Sequence, residues 1–409
     1  MTREERLDAQ CVRGLIRCLR AGDRAGLAAS TVGARAEDVE ALKFWWSLSD
    51  EVGELAERVR ANPREIAGSI ADEERISEGE IAGVLDASET ARLQARVGDP
   101  CLFVVTEPSR TWLSGPNRVL ALTLAEALRA LSSGLSDYKG KAAPDFASRR
   151  LILLEEALRS SALREILSSP AGRTRLTSYD RRQAGKARAP LYRLAVEASE
   201  SLRAVESLDE HALASLFTQT LLPAFEPWRR FELATLLACA EAVSKARSQP
   251  VELDPFFSSR RPAARIGEAE IRWQKVMPAR PDSVLEPAEL RARNLASFLG
   301  VTKGSGRADL TLELEGKVIA LVECKWFGSP ESVQGAVLEA SPQLVGYALD
   351  EAHFNGTDPD ILLSRSLLAV ADRGKVAFSD GSAGLACADL SDMESGALAK
   401  WAAKVAALW

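Results

Sequence analysis

The chain has 409 residues, 46% hydrophobic and 27% charged, with a net charge of −6, two histidines and six cysteines. This is an ordinary globular composition, long enough for two or three domains. The acidic balance excludes binding a polyanion by bulk charge, so any nucleic-acid contact must rest on a local basic surface. The cysteines (Cys11, Cys18, Cys101, Cys239, Cys324 and Cys387) form no CxxC pair, and His211 and His353 stand far apart. That pattern argues against zinc sites of the usual spacing, iron–sulfur clusters and histidine-based HD or HNH hydrolysis. Dispersed thiols fit a reducing compartment, and the expected location is the cytoplasm. The charged N-terminal stretch has no signal-peptide core, and no uninterrupted apolar run reaches the length of a membrane span.

In chain order, residues 1 to about 75 read as helical. Residues 101–105 (CLFVV) read as a short strand, followed by a Pro/Gly/Ser loop. Residues 118–135 form a strong helix pattern with Gly134 as its stop. Residues 139–193 carry thirteen lysines and arginines against five acids, a local surplus of +8. Helical periodicity resumes over 190–247, broken at Pro223 and Pro227. A proline-punctuated stretch then marks a boundary near residue 250. The expected domains are 1–135, mainly helical and a candidate partner surface; 136–250, helical and arginine-rich; and 251–409. In the last, a strand over 268–277, a helix over 287–299, two strands, a helical stretch and a strand over 366–371 succeed one another. That order predicts an α/β domain, a mixed central sheet flanked by helices, behind a mainly α-helical region.

The chemistry concentrates in GRADLTLELEGKVIALVECKW, residues 306–326. From Asp309 to Leu314 polar and apolar residues alternate, whereas Val318–Val322 is wholly apolar, like a strand buried on both faces. A three-residue turn, Glu315-Gly316-Lys317, would pair Leu314 with Val318 and so set Asp309 opposite Glu323. Directly opposed side chains lie about 5 Å apart at Cβ. Two carboxylates that close repel unless one keeps a proton or a cation sits between them. Mg²⁺ (or Mn²⁺) suits such oxygen ligands, with the Cys324 carbonyl as a further donor. Lys325, on the face of Glu323, would reach a metal-bound water or a scissile phosphate. A helix is expected to begin at Ser341-Pro342, with Ser341 as N-cap. Gln343 and Tyr347 would share one of its faces and reach a phosphate or water beside Lys325, as further catalytic candidates.

Residues 306–347 resemble the PD-(D/E)xK nuclease superfamily. Asp309 matches the first acid, Glu323-Cys324-Lys325 the ExK element, and Gln343 and Tyr347 the QxxxY element of RecB-like members. Ala308 stands where the family often has proline. The resemblance covers about 120 residues, from 285 to 409, and implies a restriction-endonuclease-like fold. It also implies Mg²⁺ held by Asp309 and Glu323, Lys325 acting on the attacking water, and a further glutamate, Glu289 or Glu286, from the preceding helix. A second resemblance, to McrC-like restriction subunits, rests on short phrases such as Pro116-Asn117-Arg118 and Phe231-Glu232-Leu233 ahead of a C-terminal nuclease. It implies cleavage of foreign DNA together with an AAA+ GTPase or ATPase partner.

Arg173, Arg175, Arg181 and Arg182 in the basic segment, and Arg260 and Arg261 before the nuclease strands, are candidate DNA-backbone contacts. Neither GxGxxG nor GxxxxGK[ST] occurs, so the chain is not expected to hydrolyse nucleotides itself. The resulting expectation is a metal-dependent deoxyribonuclease that cleaves phosphodiesters in restriction or antiviral defence. The alternatives are a self-contained RecB-like repair exonuclease and a non-catalytic assembly factor with a nuclease fold.

Overall fold

A computed structural model describes residues 2–26, 36–137, 145–254, 261–298, 306–327, 333–374 and 384–408. The chain divides into two compact units. One comprises Met1–Trp45, Ser136–Lys141 and Ala204–Trp409; the other comprises Trp46–Leu135 and Ala142–Arg203.

The second unit is mainly helical and carries one small antiparallel sheet. Strands β1 (Ser69–Glu78), β2 (Val84–Leu85) and β3 (Leu102–Thr111) lie in the order β1-β3-β2. The polar stretch expected to end a helical region is therefore a strand, because it pairs along its whole length with β3, from Ser69↔Thr111 to Glu78↔Leu102. The helix Gly115–Asp137 runs past Gly134, which does not stop it. Its stretch Gly115–Ser136 is long and apolar enough to cross a membrane, but half of that stretch is buried inside the protein, as in a core helix. Inside this unit Asn117 is wholly buried. Its Nδ2 donates to the carbonyls of Ala67 and Trp112, and its Oδ1 accepts from the Tyr192 hydroxyl at 2.6 Å. The neighbouring Arg118 donates to both oxygens of Asp180, at 3.0 and 3.1 Å. Asp180 in turn forms a capping box with Thr177 at the start of the helix Ser178–Lys186.

The first unit is built on a seven-stranded mixed sheet. Its strands are β4 (Glu252–Leu253), β5 (Ala264–Ile266), β6 (Ala269–Val276), β7 (Arg307–Leu314), β8 (Lys317–Lys325), β9 (Leu367–Val370) and β10 (Ala386–Ala388), neighbours in chain order. Pairing is antiparallel from β4 through β8, then parallel from β8 to β9 and β10. The crossover between β8 and β9 contains the helices Val333–Asn355 and Pro359–Arg365, as a parallel connection requires. The Val333–Asn355 helix packs on β8 and β9 through a core that includes Leu321, Leu344, Tyr347 and Leu368.

The expected cut near residue 250 falls elsewhere. The helix Pro227–Arg247 belongs with the sheet, and so does the helix Arg3–Gly26 that packs along it. The reason is burial: Phe231 through Ala240 are all buried in the Pro227–Arg247 helix, so it needs cover on nearly every side. The sheet and the Arg3–Gly26 helix supply it, the latter also through an Arg230–Asp8 ion pair at 2.7 Å.

Candidate active site

The β7–β8 hairpin brings the acidic residues together by a route the sequence did not reveal. Its turn has two residues, Glu315 and Gly316, both with positive φ, so Lys317 already pairs with Leu314. That is the turn geometry which matches strand twist. The register then shifts between Leu312 and Glu313. Glu313 pairs with Val318 but Leu312 with Ala320, which leaves Ile319 as a bulge residue. The bulge restores the offset that a three-residue turn would have produced. The ladder runs on through Thr311↔Leu321 and Leu310↔Val322, and its next step sets Asp309 against Glu323.

Asp309 Oδ2 accepts the Cys324 backbone N–H at 2.8 Å. Glu323 is 3% exposed; one of its oxygens takes Lys325 Nζ at 3.1 Å, and the other, Oε2, is buried without any hydrogen-bond partner. Burial, then the charge of Asp309, pushes the Glu323 carboxyl up to about 8. Burial also raises Asp309, against the hydrogen bond from Cys324 and the charges of Lys325 and Arg307. Lys325 donates to Glu339 at 3.0 Å and to Gln343 Oε1 at 2.7 Å. Burial pulls its pKa down, but the bond to Glu339 and the nearness of Glu323 outweigh that, and the ammonium is held above its ordinary value.

Gln343 and Tyr347 lie on one helix, but that helix starts at Val333, and Pro342 sits inside it. Ser341 is not its N-cap; the Ser341 hydroxyl donates back to the Val337 carbonyl at 2.7 Å. Gln343 aims Lys325. Tyr347 instead braces β7, since its hydroxyl donates to the Arg307 carbonyl at 2.9 Å and its ring fills the space beside Gly306.

Glu289 does not join the carboxylates. One of its oxygens pairs with Arg280 at 2.8 Å and the other accepts the Glu286 N–H. Glu286 thus enters through its backbone, at the start of that same helix. The acid that sequence reasoning missed is Glu232, on the helix Pro227–Arg247. It is 3% exposed, and its Oε2 accepts from Trp273 Nε1 and Gln274 Nε2. Burial first, then the Asp309 charge, pushes its carboxyl up to about 7. Gln274 reaches it from a left-handed backbone, φ +56, an uncommon conformation for a residue with a side chain. The signal in the sequence was a lone acid in the apolar run FELATLLACA, where charges are rarely left unpaired.

Among the described residues no group of three or more His, Cys, Asp and Glu side chains is gathered to hold a metal. The donor set that does exist is the Asp309–Glu323 pair, with one oxygen of Glu323 buried and unpartnered. That fits a hard divalent ion which binds through one or two carboxylates and keeps its waters. What the structure shows at Cys324 is its amide on Asp309.

Of the candidate DNA contacts, Arg173, Arg175 and Arg182 are exposed in the second unit, and Arg181 is partly covered. Arg173 donates to the Leu167 carbonyl, and Arg181 Nε lies 3.4 Å from Ser199 Oγ. Arg261 is exposed in the first unit, and Arg260 lies outside the described residues.

No family model matches the chain. No curated protein matches it either. Among solved structures it is similar to a chain from a Thermococcus gammatolerans assembly described as McrB AAA+ hexamers with bound McrC. Identity is 10% over 92% of this chain and 70% of that one, with a TM-score of 0.23.

Proposed function

We propose that this chain is a Mg²⁺-dependent DNA nuclease of the PD-(D/E)xK type, with a restriction-endonuclease-like domain, serving as the cleavage subunit of a McrC-like restriction system. The observation that carries the reading is Glu323. It is a buried carboxylate at the end of a central strand, with one oxygen held by Lys325, the other unpartnered, and Asp309 beside it. A fold gains no stability from such an arrangement, because an unsatisfied buried acceptor costs about 1–3 kcal/mol.

A divalent ion bound by Asp309 and Glu323 would polarise the phosphate and lower the pKa of a bound water. Lys325 is kept protonated by Glu323 and Glu339 and aimed by Gln343, so it acts as a cation that donates to the developing phosphate charge, not as a base. Tyr347 fixes the strand that carries Asp309. The McrC-like part of the reading rests on the resemblance of its short phrases, which here fill structural roles. Asn117 and Arg118 organise the second unit, while Phe231-Glu232-Leu233 delivers Glu232 beside Asp309.

The test uses the purified full chain and end-labelled linear DNA, with Mg²⁺ or EDTA, with and without GTP or ATP. Mg²⁺-dependent cleavage that is lost in Lys325→Ala, while folding is kept, supports the nuclease reading. Lys325→Ala cleaving like the parent would overturn it and leave the scaffold alternative. Cleavage without nucleotide or partner would favour the self-contained exonuclease.

A further inference from the structure

On β6 and β7 lies an open groove of about 580 Å³ lined by Arg272, Gln274, Lys275, Arg307, Glu313 and Gly316; it reaches toward the carboxylates through Arg307, whose charge acts on Asp309. Alternation along β7 puts Arg307 on the face of Asp309, two residues away, about 6.6 Å along the strand. Arg307 and Glu313, which both line the groove, stand six residues apart on β7, about 20 Å at ~3.3 Å per residue.

Its walls carry a surplus of positive charge. Arg272 and Lys275 share the buried acid Glu313, at 3.0 and 2.7 Å, and Glu313 also takes the Thr311 hydroxyl; Arg272 pairs as well with Glu270, at 2.6 Å, which lies outside the groove lining. Among the described residues the Arg307 guanidinium has neither an ion pair nor a hydrogen bond, and it is exposed. Its backbone, by contrast, is pinned by Tyr347 and by the β6 pairing Val276↔Arg307. A free cation on a fixed strand, next to two carboxylates, is arranged to meet an anion that arrives beside them. Gln274 ties groove and site together: it lines the groove, yet its amide holds Glu232.

We propose that this groove holds the sugar-phosphate backbone of one DNA strand, with Arg307 gripping a phosphate adjacent to the one that Asp309 and Glu323 address. The inference rests on the nuclease reading and deepens it by assigning a strand path. The groove is open, and its basic side chains Arg272, Lys275 and Arg307 come from two neighbouring strands, which suits an extended polyanion better than a free phosphate. Charge-based contacts of this kind position a strand without reading its sequence.

The experiment measures binding of a fluorescent single-stranded oligodeoxynucleotide to the full chain in EDTA, across a salt series. Arg307→Glu weakens binding about tenfold or more, because a phosphate contact is replaced by repulsion. Arg307→Ala lowers the slope of log K against log salt by about 1, and Arg307→Lys restores it. Arg307 variants that bind and titrate with salt like a parent that cleaves with Mg²⁺ would overturn the groove and leave the nuclease reading standing. A parent that neither binds the strand nor cleaves DNA would overturn both.

Discussion

Asp180 and Glu323 are both carboxylates buried to within a few per cent of full cover, yet they end in opposite states. At Asp180 burial raises the pKa, but the hydrogen bonds from Thr177 and the charge of Arg118 more than reverse it, and the acid is held below its ordinary value. At Glu323 burial and a second acid act together, and one oxygen has no donor. The difference separates two uses of a buried charge. A saturated acid organises its own unit, whereas an unsaturated one is poised for something that arrives later.

The comparison breaks most readily on activity. Asp309→Asn and Lys325→Ala should each lower Mg²⁺-supported cleavage of linear DNA about 10²–10³-fold or more, with the protein still folded and, for Asp309→Asn, little change in unfolding midpoint. If stability falls and cleavage stays, these residues belong with Asp180. Breaking the saturated pair should do the reverse. Asp180→Ala leaves the half-buried Arg118 without its acid and removes the Thr177 capping box, and urea unfolding should report a loss of about 1–3 kcal/mol.

Acid dependence sharpens the contrast. The Asp180 contribution is present above the ordinary carboxylate value of 3.8 and is lost as pH falls through its lower folded value. The deficit of Asp180→Asn relative to the parent should therefore shrink in acid melts. For Glu323, with its folded value near 8 against an ordinary 4.5, stability is full at low pH and is lost as pH rises between those values. Glu323→Gln should thus stabilise the metal-free protein at pH 8 by about 1 kcal/mol, with the gain fading toward pH 5; thermal melts in EDTA will show it. The smallest effect is expected at Tyr347→Phe. It gives up the bond to the Arg307 carbonyl for about 1 kcal/mol and should raise KM more than it lowers kcat.

Much of the site was legible because a strand fixes neighbours by alternation. Asp309, Glu323 and Lys325 came from parity along two short segments, and the mixed sheet from the order of elements. The turn was misjudged because a two-residue turn with a bulge and a three-residue turn reach the same pairing, and nothing in the letters separates them. The helix was started at Ser341-Pro342 because proline is a strong boundary signal, yet here the helix runs through it from Val333. Glu289 looked available until Arg280 and the Glu286 amide claimed its oxygens. Glu232 was out of reach for another reason: it is joined to Asp309 by packing across a long sequence separation, which no local spacing encodes. The unit boundary was missed on the same ground.

That boundary bears on how the protein is made. The helix Arg3–Gly26 is synthesised before the second unit, but the helix it packs against, Pro227–Arg247, follows only after the whole of that unit has been synthesised. The second unit is free to fold in the interval, since domains form as units during synthesis. The hairpin that carries Asp309 and Glu323 comes later still. The two acids are therefore made after the second unit and after the helices Arg3–Gly26 and Pro227–Arg247, and their charges are brought together only when the hairpin closes onto the sheet.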